Sequence, residues 1–456
     1  LGKMLDPEID EPVLSPVDAG RRSRLRIAVV LTLVVAVVVV GAFGLNFLSP
    51  VAALLDPPYV PPAPRVPIRL AVVDDAGGLA IVNPATEAAT GIGRQGLAHE
   101  FPAWSPDGTR VAAIGRADGS GGIYAYDPAS GADPEPVYVS RDRQPFYLSW
   151  SPDGTRITFL TSEPQGQIAL RVAPADGGAE DTVLRRGSPL YWDWVDDSRL
   201  LIHAGSTHVT AFLGEIGLDA ESEAATAIEP GFFRPPVVGR DGRYRAYVSP
   251  ADEGHEVVIE RHDGSDRRTI SAEGSVALAF DPAGRKLAFT ALGRPTSEPP
   301  ALPIGPLHVV DATTGDDRIL LDRPTIAFYW SPDGRTIAAL ELLPAEAPGV
   351  DIASAGLGGR VAVAQAPGVT VQVRFVDVAS GDVRSEQPIR VSDLYGFQVL
   401  PFFDQYALSH RTWSADSAGI SLPRVDAAGR SRIVVVPADG SEPRGVADGA
   451  IGFWSP

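Results

Sequence analysis

The sequence predicts an all-β ring, a β-propeller of four-stranded antiparallel blades preceded by one transmembrane helix. Three observations predict the ring: a recurring five-residue motif, a strand–turn–strand grammar repeated around each copy, and a chain end that stops on the motif's first letters. Trp104-Ser105-Pro106-Asp107-Gly108 returns as Trp150-Ser151-Pro152-Asp153-Gly154 and as Trp330-Ser331-Pro332-Asp333-Gly334, and the chain stops at Trp454-Ser455-Pro456. A unit of this size cannot bury its own faces and must stack on copies of itself.

Each copy follows one physical pattern. An aromatic-ended strand runs into Ser-Pro-Asp-Gly, where Pro presets φ, Asp accepts from its own backbone and Gly tolerates positive φ, so the four letters form a hairpin turn. In the first full copy the apolar stretch 110–114 leaves that turn as a second strand, and 122–127 forms a third. After the turn at 128–131, residues 136–139 form an outer strand.

The motif also serves as a ruler. Anchors at Trp104, Trp150, Trp194, Val238, Phe280, Trp330, Trp413 and Trp454 are separated by 46, 44, 44, 42, 50, 83 and 41 residues. The gap of 83 either hides a lost blade or contains an insertion. Residues 343–369 read as an Ala/Gly/Pro-rich insertion between the second and third strands of one blade, with the third strand resuming at 370–377. Eight blades follow, with seven as the alternative. The last anchor has no second strand behind it, whereas 68–73 and 79–86 match a second strand and a third with its turn. The propeller therefore spans 68–456 and closes by strands shared between its two ends, which removes free sheet edges.

The aromatic-Ser-Pro-Asp-Gly turn followed by an apolar strand and Ile-Tyr-x-x-Asp resembles the TolB-type, WD40-like propeller repeat. The same repeat occurs in the propeller domains of prolyl oligopeptidase relatives. The resemblance covers roughly residues 68–456 and is specific for architecture. It implies an envelope protein that binds other proteins through the propeller faces.

Ahead of the propeller, residues 27–48 carry no charge over 22 positions, long enough for a bilayer-spanning helix. A cleaved signal peptide is the rival, because small residues 41–44 follow an apolar run. Arg21, Arg22, Arg24 and Arg26 crowd the N-terminal flank, while 49–67 holds only Arg65. The positive-inside rule puts the tail 1–26 in the cytoplasm and the propeller in the periplasm or outside the cell. Seven prolines between positions 50 and 67 read as an extended, semi-rigid linker over 49–67, with a proline-motif ligand as the alternative.

Residues 1–48 hold five basic and five acidic side chains, so the whole net charge of −18 falls on the remainder. An acidic exterior argues against nucleic acid and favours solubility and basic partners. The sequence contains no cysteine, which excludes disulfides, thiol catalysis and Cys-ligated zinc. No Gly-x-Ser-x-Gly elbow, His-Glu-x-x-His helix or EF-hand loop is present, and the seven histidines are scattered. The expectation is therefore no catalytic residues, no metal ligands, no cofactor and no enzymatic activity. Asp-rich turns such as 263–266 and 311–317 read as framework, because they recur from blade to blade.

Function in a repeat protein concentrates where periodicity breaks. The breaks are the 343–369 insertion, the Pro-rich stretch 294–306, and the aromatic cluster Tyr395, Phe397, Phe402, Phe403 and Tyr406. Aromatic side chains make good interface anchors, so these five are the candidate partner interface, with blade packing as the alternative. The leading expectation is a single-pass membrane protein whose propeller docks a protein partner in an envelope or membrane complex. The competing expectation is a small-ligand sensor or hydrolase-type enzyme with a site in the central channel.

Overall fold

The computed structural model describes residues 59–456 except 61–62, 64–65, 135, 179, 206–210, 219–225, 232, 252–253, 273, 275, 292–302 and 344–367. The expected span at 27–48, the tail 1–26 with its four arginines, most of the linker 49–67 and nearly all of the insertion lie outside the described residues. Among the described residues no helix is long and apolar enough to cross a membrane.

The described strands form seven antiparallel hydrogen-bonded sheets. In the first, Ile451–Trp454 pairs with Leu70–Val73, which continues to Leu79–Val82 and Ala89–Gly91. Leu70 faces Trp454 and Val73 faces Ile451, so the C-terminal strand is stitched to the first described strand of the chain. Four four-stranded sheets follow, opening on Ala98–Trp104, Pro145–Trp150, Leu190–Trp194 and Val237–Val238. The next sheet has eight strands, because the long strand Asp317–Trp330 pairs with Gly305–Asp311 through its first half and with Thr336–Leu342 through its second. The last sheet is three-stranded, Gly419–Val425, Ser431–Pro437 and Arg444–Asp448, with Trp413 attached to Ile420 by a single bridge.

Neighbouring sheets meet through their first strands, and the anchor tryptophans do the joining. Trp104 Nε1 donates to the carbonyl of Phe453, Trp150 to Ala103, Trp330 to Ala279 and Trp413 to Tyr329, at 2.9–3.2 Å. Each acceptor is the residue just before the anchor of the preceding unit, so these four indoles tie blade to blade at one repeated position. An indole gives a large apolar body to the interface and a single donor that must find a partner when buried. Trp454 Nε1 is buried with no partner.

The Ser-Pro-Asp-Gly turns lock themselves. Ser105 Oγ donates to Asp107 Oδ1 at 2.6 Å and accepts from the N–H of Arg110, while Gly108 sits at φ 73°. Ser151 with Asp153, and Ser414 with Asp416, repeat the arrangement. In the degenerate turn beginning at Asp281 the carboxylate takes over, accepting from the N–H groups of Arg285 and Lys286. The turn is thus conserved as a hydrogen-bond pattern where its letters change, and it presents framework rather than chemistry.

Antiparallel order then sorts the connections. Turns between first and second strands, and between third and fourth, lie on one face; second-to-third connections and the crossings to the next blade lie on the other. The described strand ends Ala291, Gly305, Leu342 and Thr370, between which 292–302 and 344–367 fall, are on that second face, from which the crossing 391–412 enters the channel.

Candidate functional site: a filled central channel

Crossings from one sheet to the next otherwise take two to eight residues, but 22 residues separate Arg390 from Trp413. They leave the sheet and turn into the axis of the ring. Tyr395–Val399 forms a π-helical turn, Leu400–Phe402 a 3₁₀ turn and Phe403–Ser409 an α-helix, here α1. The first strands that line the axis close around this plug.

The packing is aromatic. Tyr406 lies 5.4 Å from Phe101 and 5.3 Å from Tyr147, while Phe403 meets Phe328 at 5.1 Å and Tyr329 at 6.0 Å, ring centre to ring centre. Phe402 reaches Tyr191 at 6.4 Å. Four different sheets supply these partners, which only a segment on the axis can touch together.

Polar groups fix the plug's position. Gln405 Nε2 donates to the Trp192 carbonyl at 3.2 Å and to the Tyr147 hydroxyl at 3.0 Å, and that hydroxyl lies 2.8 Å from the Gln405 carbonyl. Burial pushes His410 down to about 4, so the ring is neutral at pH 7. Its Nε2–H donates to the Phe101 carbonyl at 3.2 Å, leaving Nδ1 to accept from Ser409 Oγ at 2.6 Å. Tyr147 is 2.7 Å from the same Ser409 oxygen. A Ser–His contact thus exists, but the far side of the imidazole meets a carbonyl and not a carboxylate, so nothing here compensates an imidazolium.

Two carboxyls matter here, Asp404 buried in the plug and Asp193 half-buried on a first strand. Asp404 accepts from the Gln405 N–H through Oδ1, while Oδ2 has no hydrogen-bond partner. Burial pushes it up to about 6, against the pull of the Arg234 guanidinium. Asp193 accepts from Val238 and Trp194 N–H groups and is nevertheless pushed up to about 7 by burial. His203, whose Nδ1 lies 3.0 Å from the Arg234 carbonyl, is pushed down to about 4 by burial. Among the described residues no three His, Cys, Asp or Glu side chains converge as a metal site.

Of the five aromatic residues singled out by sequence, Tyr395, Phe403 and Tyr406 are buried in the plug, and Phe397 and Phe402 are half-buried. The three buried ones offer no surface to a partner, because the channel walls already cover them. The cluster belongs neither to an outer strand nor to an exposed patch. Its helical spacing, 395, 399, 403, 406 and 410, was the signal available in the sequence. The excess spacing after Trp330 likewise has two parts, the residues between Leu342 and Thr370 and the plug itself. Sequence reasoning missed Asp404, Gln405 and Arg234, which carry no motif. Among the described residues the large exposed hydrophobics are Val60, Val139, Ile319 and Val383, the last three on outer strands of different strand groups.

No protein-family model matches this chain, and no curated protein matches it. Solved structures do. The dihydro-heme d1 dehydrogenase NirN in complex with DHE is 16% identical over 87% of this chain and 77% of that one, with a TM-score of 0.51. A structure from an analysis of two prolyl endopeptidases is 11% identical over 78% of this chain and 50% of that one, with a TM-score of 0.51. TolB from Acinetobacter baumannii is 14% identical over 74% of this chain and 67% of that one, at a TM-score of 0.37 that is too low to carry an argument. At these identities the likeness shows the fold, a β-propeller. It also corrects the expectation of no enzymatic activity: a dehydrogenase and endopeptidases share the architecture, so a missing catalytic motif gives no ground for that expectation.

Proposed function

We propose that this chain is an eight-bladed propeller, held at a membrane by the apolar stretch 27–48, that docks a protein partner of an envelope complex on its plug-entry face. The eight-blade count is supported by dividing the eight-stranded sheet at its long strand Asp317–Trp330 and by counting the three-stranded sheet with Trp413 as a unit. The apolar stretch and its arginine flank support the anchor. The observation that carries the docking reading is the filled channel: with Tyr395–Ser409 on the axis, a partner is left the rim and the connections that emerge around it. The acidic balance of the propeller favours a partner with a basic contact surface.

The test is a mild-detergent pull-down of the full-length chain with mass spectrometry, repeated on a chain lacking residues 344–367, whose ends lie on that face. A stoichiometric protein partner lost with the deletion supports the proposal. Recovery of none from the full-length chain overturns it.

A further inference from the structure

The plug differs from the rest of the propeller in how it is held. Each blade is held together internally by strand ladders, and the ring is closed by pairing Leu70–Val73 with Ile451–Trp454. None of those ladders passes through residues 395–409. The helix α1 has seven residues and no side-chain cap at its start, and a helix so short is not stable by itself in water. It exists because the channel walls pack against it.

The fit of plug to channel is incomplete in its polar atoms. Asp404 Oδ2 and Gln405 Oε1 are buried without hydrogen-bond partners, and each such orphan is disfavoured relative to solvation. The chain that is diverted into the axis adds no strand to the last sheet, which has three strands and holds Trp413 by a single bridge. The two orphaned atoms are rehydrated if the plug leaves, while the ladders lose nothing. Gly396 lies in the π-helical turn and Pro401 in the 3₁₀ turn that precede α1, so the segment is three short pieces and not one continuous helix.

We propose that residues 395–409 form a releasable plug, a unit that leaves the channel while the ring of sheets stays paired. Release uncovers a wall of Phe101, Tyr147, Trp192, Phe328 and Tyr329 together with the Arg234 side chain. The filled channel is then a resting, self-blocked state of the propeller. This inference stands apart from the docking role, since a permanently plugged ring could still bind a partner on its rim.

The chain contains no cysteine, so single thiols report cleanly. Val399, in the plug, and Val434, in the last sheet, are 1% and 0% exposed, and each is replaced separately by Cys in the full-length chain. Labelling by a thiol reagent is followed under native conditions and in low denaturant. The expected result is that V399C labels at least about tenfold faster than V434C, with a weaker denaturant dependence, as for a sub-global opening. Equal rates with equal denaturant dependence mean the plug opens only when the ring unfolds, and overturn the proposal. If either variant fails to fold, hydrogen exchange on the unmodified chain decides by the same comparison, amides of 403–409 against those of 431–437.

Discussion

The ring and its plug are built on opposite principles. In the ring, the same few atoms recur: an indole N–H on the preceding blade's carbonyl in four blades, and a Ser–Asp lock in four turns. In the plug nothing repeats, and each contact is a separate accommodation between α1 and one wall. Repetition makes the ring tolerant, since a blade can replace Trp by Phe280 and Ser by Asp281 and still turn correctly. Singular contacts make the plug specific, and they leave Asp404 Oδ2 and Gln405 Oε1 unpartnered on a single seven-residue helix.

That contrast is broken most directly by removing the closing strand. Truncation after Ala447 deletes Ile451, Phe453 and Trp454, each buried and each worth about 1.5–3 kcal/mol of apolar burial, and reopens the sheet edge. We expect loss of the cooperative thermal transition or a fall in Tm of 10 °C or more, on the order of what such a loss gives. A truncated chain that melts like the full one would mean that the ring does not depend on its seam.

Next in size is Phe403→Ala, which empties the plug's contact with Phe328 and Tyr329. In an ordinary core the change costs about 3–5 kcal/mol. If the plug is a separate unit, thiol labelling at V399C rises while the main denaturation midpoint moves little. A full core-sized loss at the main transition would instead make ring and plug one cooperative body.

Half-buried Asp193 predicts a pH effect of intermediate size. Its folded value, about 7, lies above the unfolded one near 4, so its contribution to stability is present at low pH and is lost as pH rises through 7. Asp193→Asn removes that loss: stability between pH 5 and pH 7.5 should fall less than in the parent, by on the order of 2–4 kcal/mol. Denaturant midpoints across that range check it, and parallel curves would show that Asp193 is not the group responsible.

The smallest effect separates the tryptophans. Trp150→Phe leaves the Ala103 carbonyl without its donor and should cost about 1–2 kcal/mol beyond the lost ring area. Trp454→Phe removes an N–H that had no partner and should lack that extra cost. Equal losses in urea titrations would reject the inter-blade bond as the meaning of the repeated Trp.

Most of the ring is legible in the sequence because its determinants are local. Ser-Pro-Asp-Gly specifies a turn within four residues, apolar strands flank it, and the repeat shows the unit stacking on its own kind. The stretch 68–86 could be matched to the strands missing after Trp454 for the same reason. Opposite reasons kept the site hidden. Tyr395, Phe403 and Tyr406 look the same in a strand, a surface patch or a helix until it is known what surrounds them.

The sequence by itself determined the propeller architecture and the framework role of its most conspicuous motif, since both rest on interactions among residues near one another in the chain. Only the tertiary structure decided that 395–409 is helical and lies on the axis. The space it fills does not exist until the blades have closed around it, and the charges it brings together, Asp404 with Arg234, are 170 residues apart.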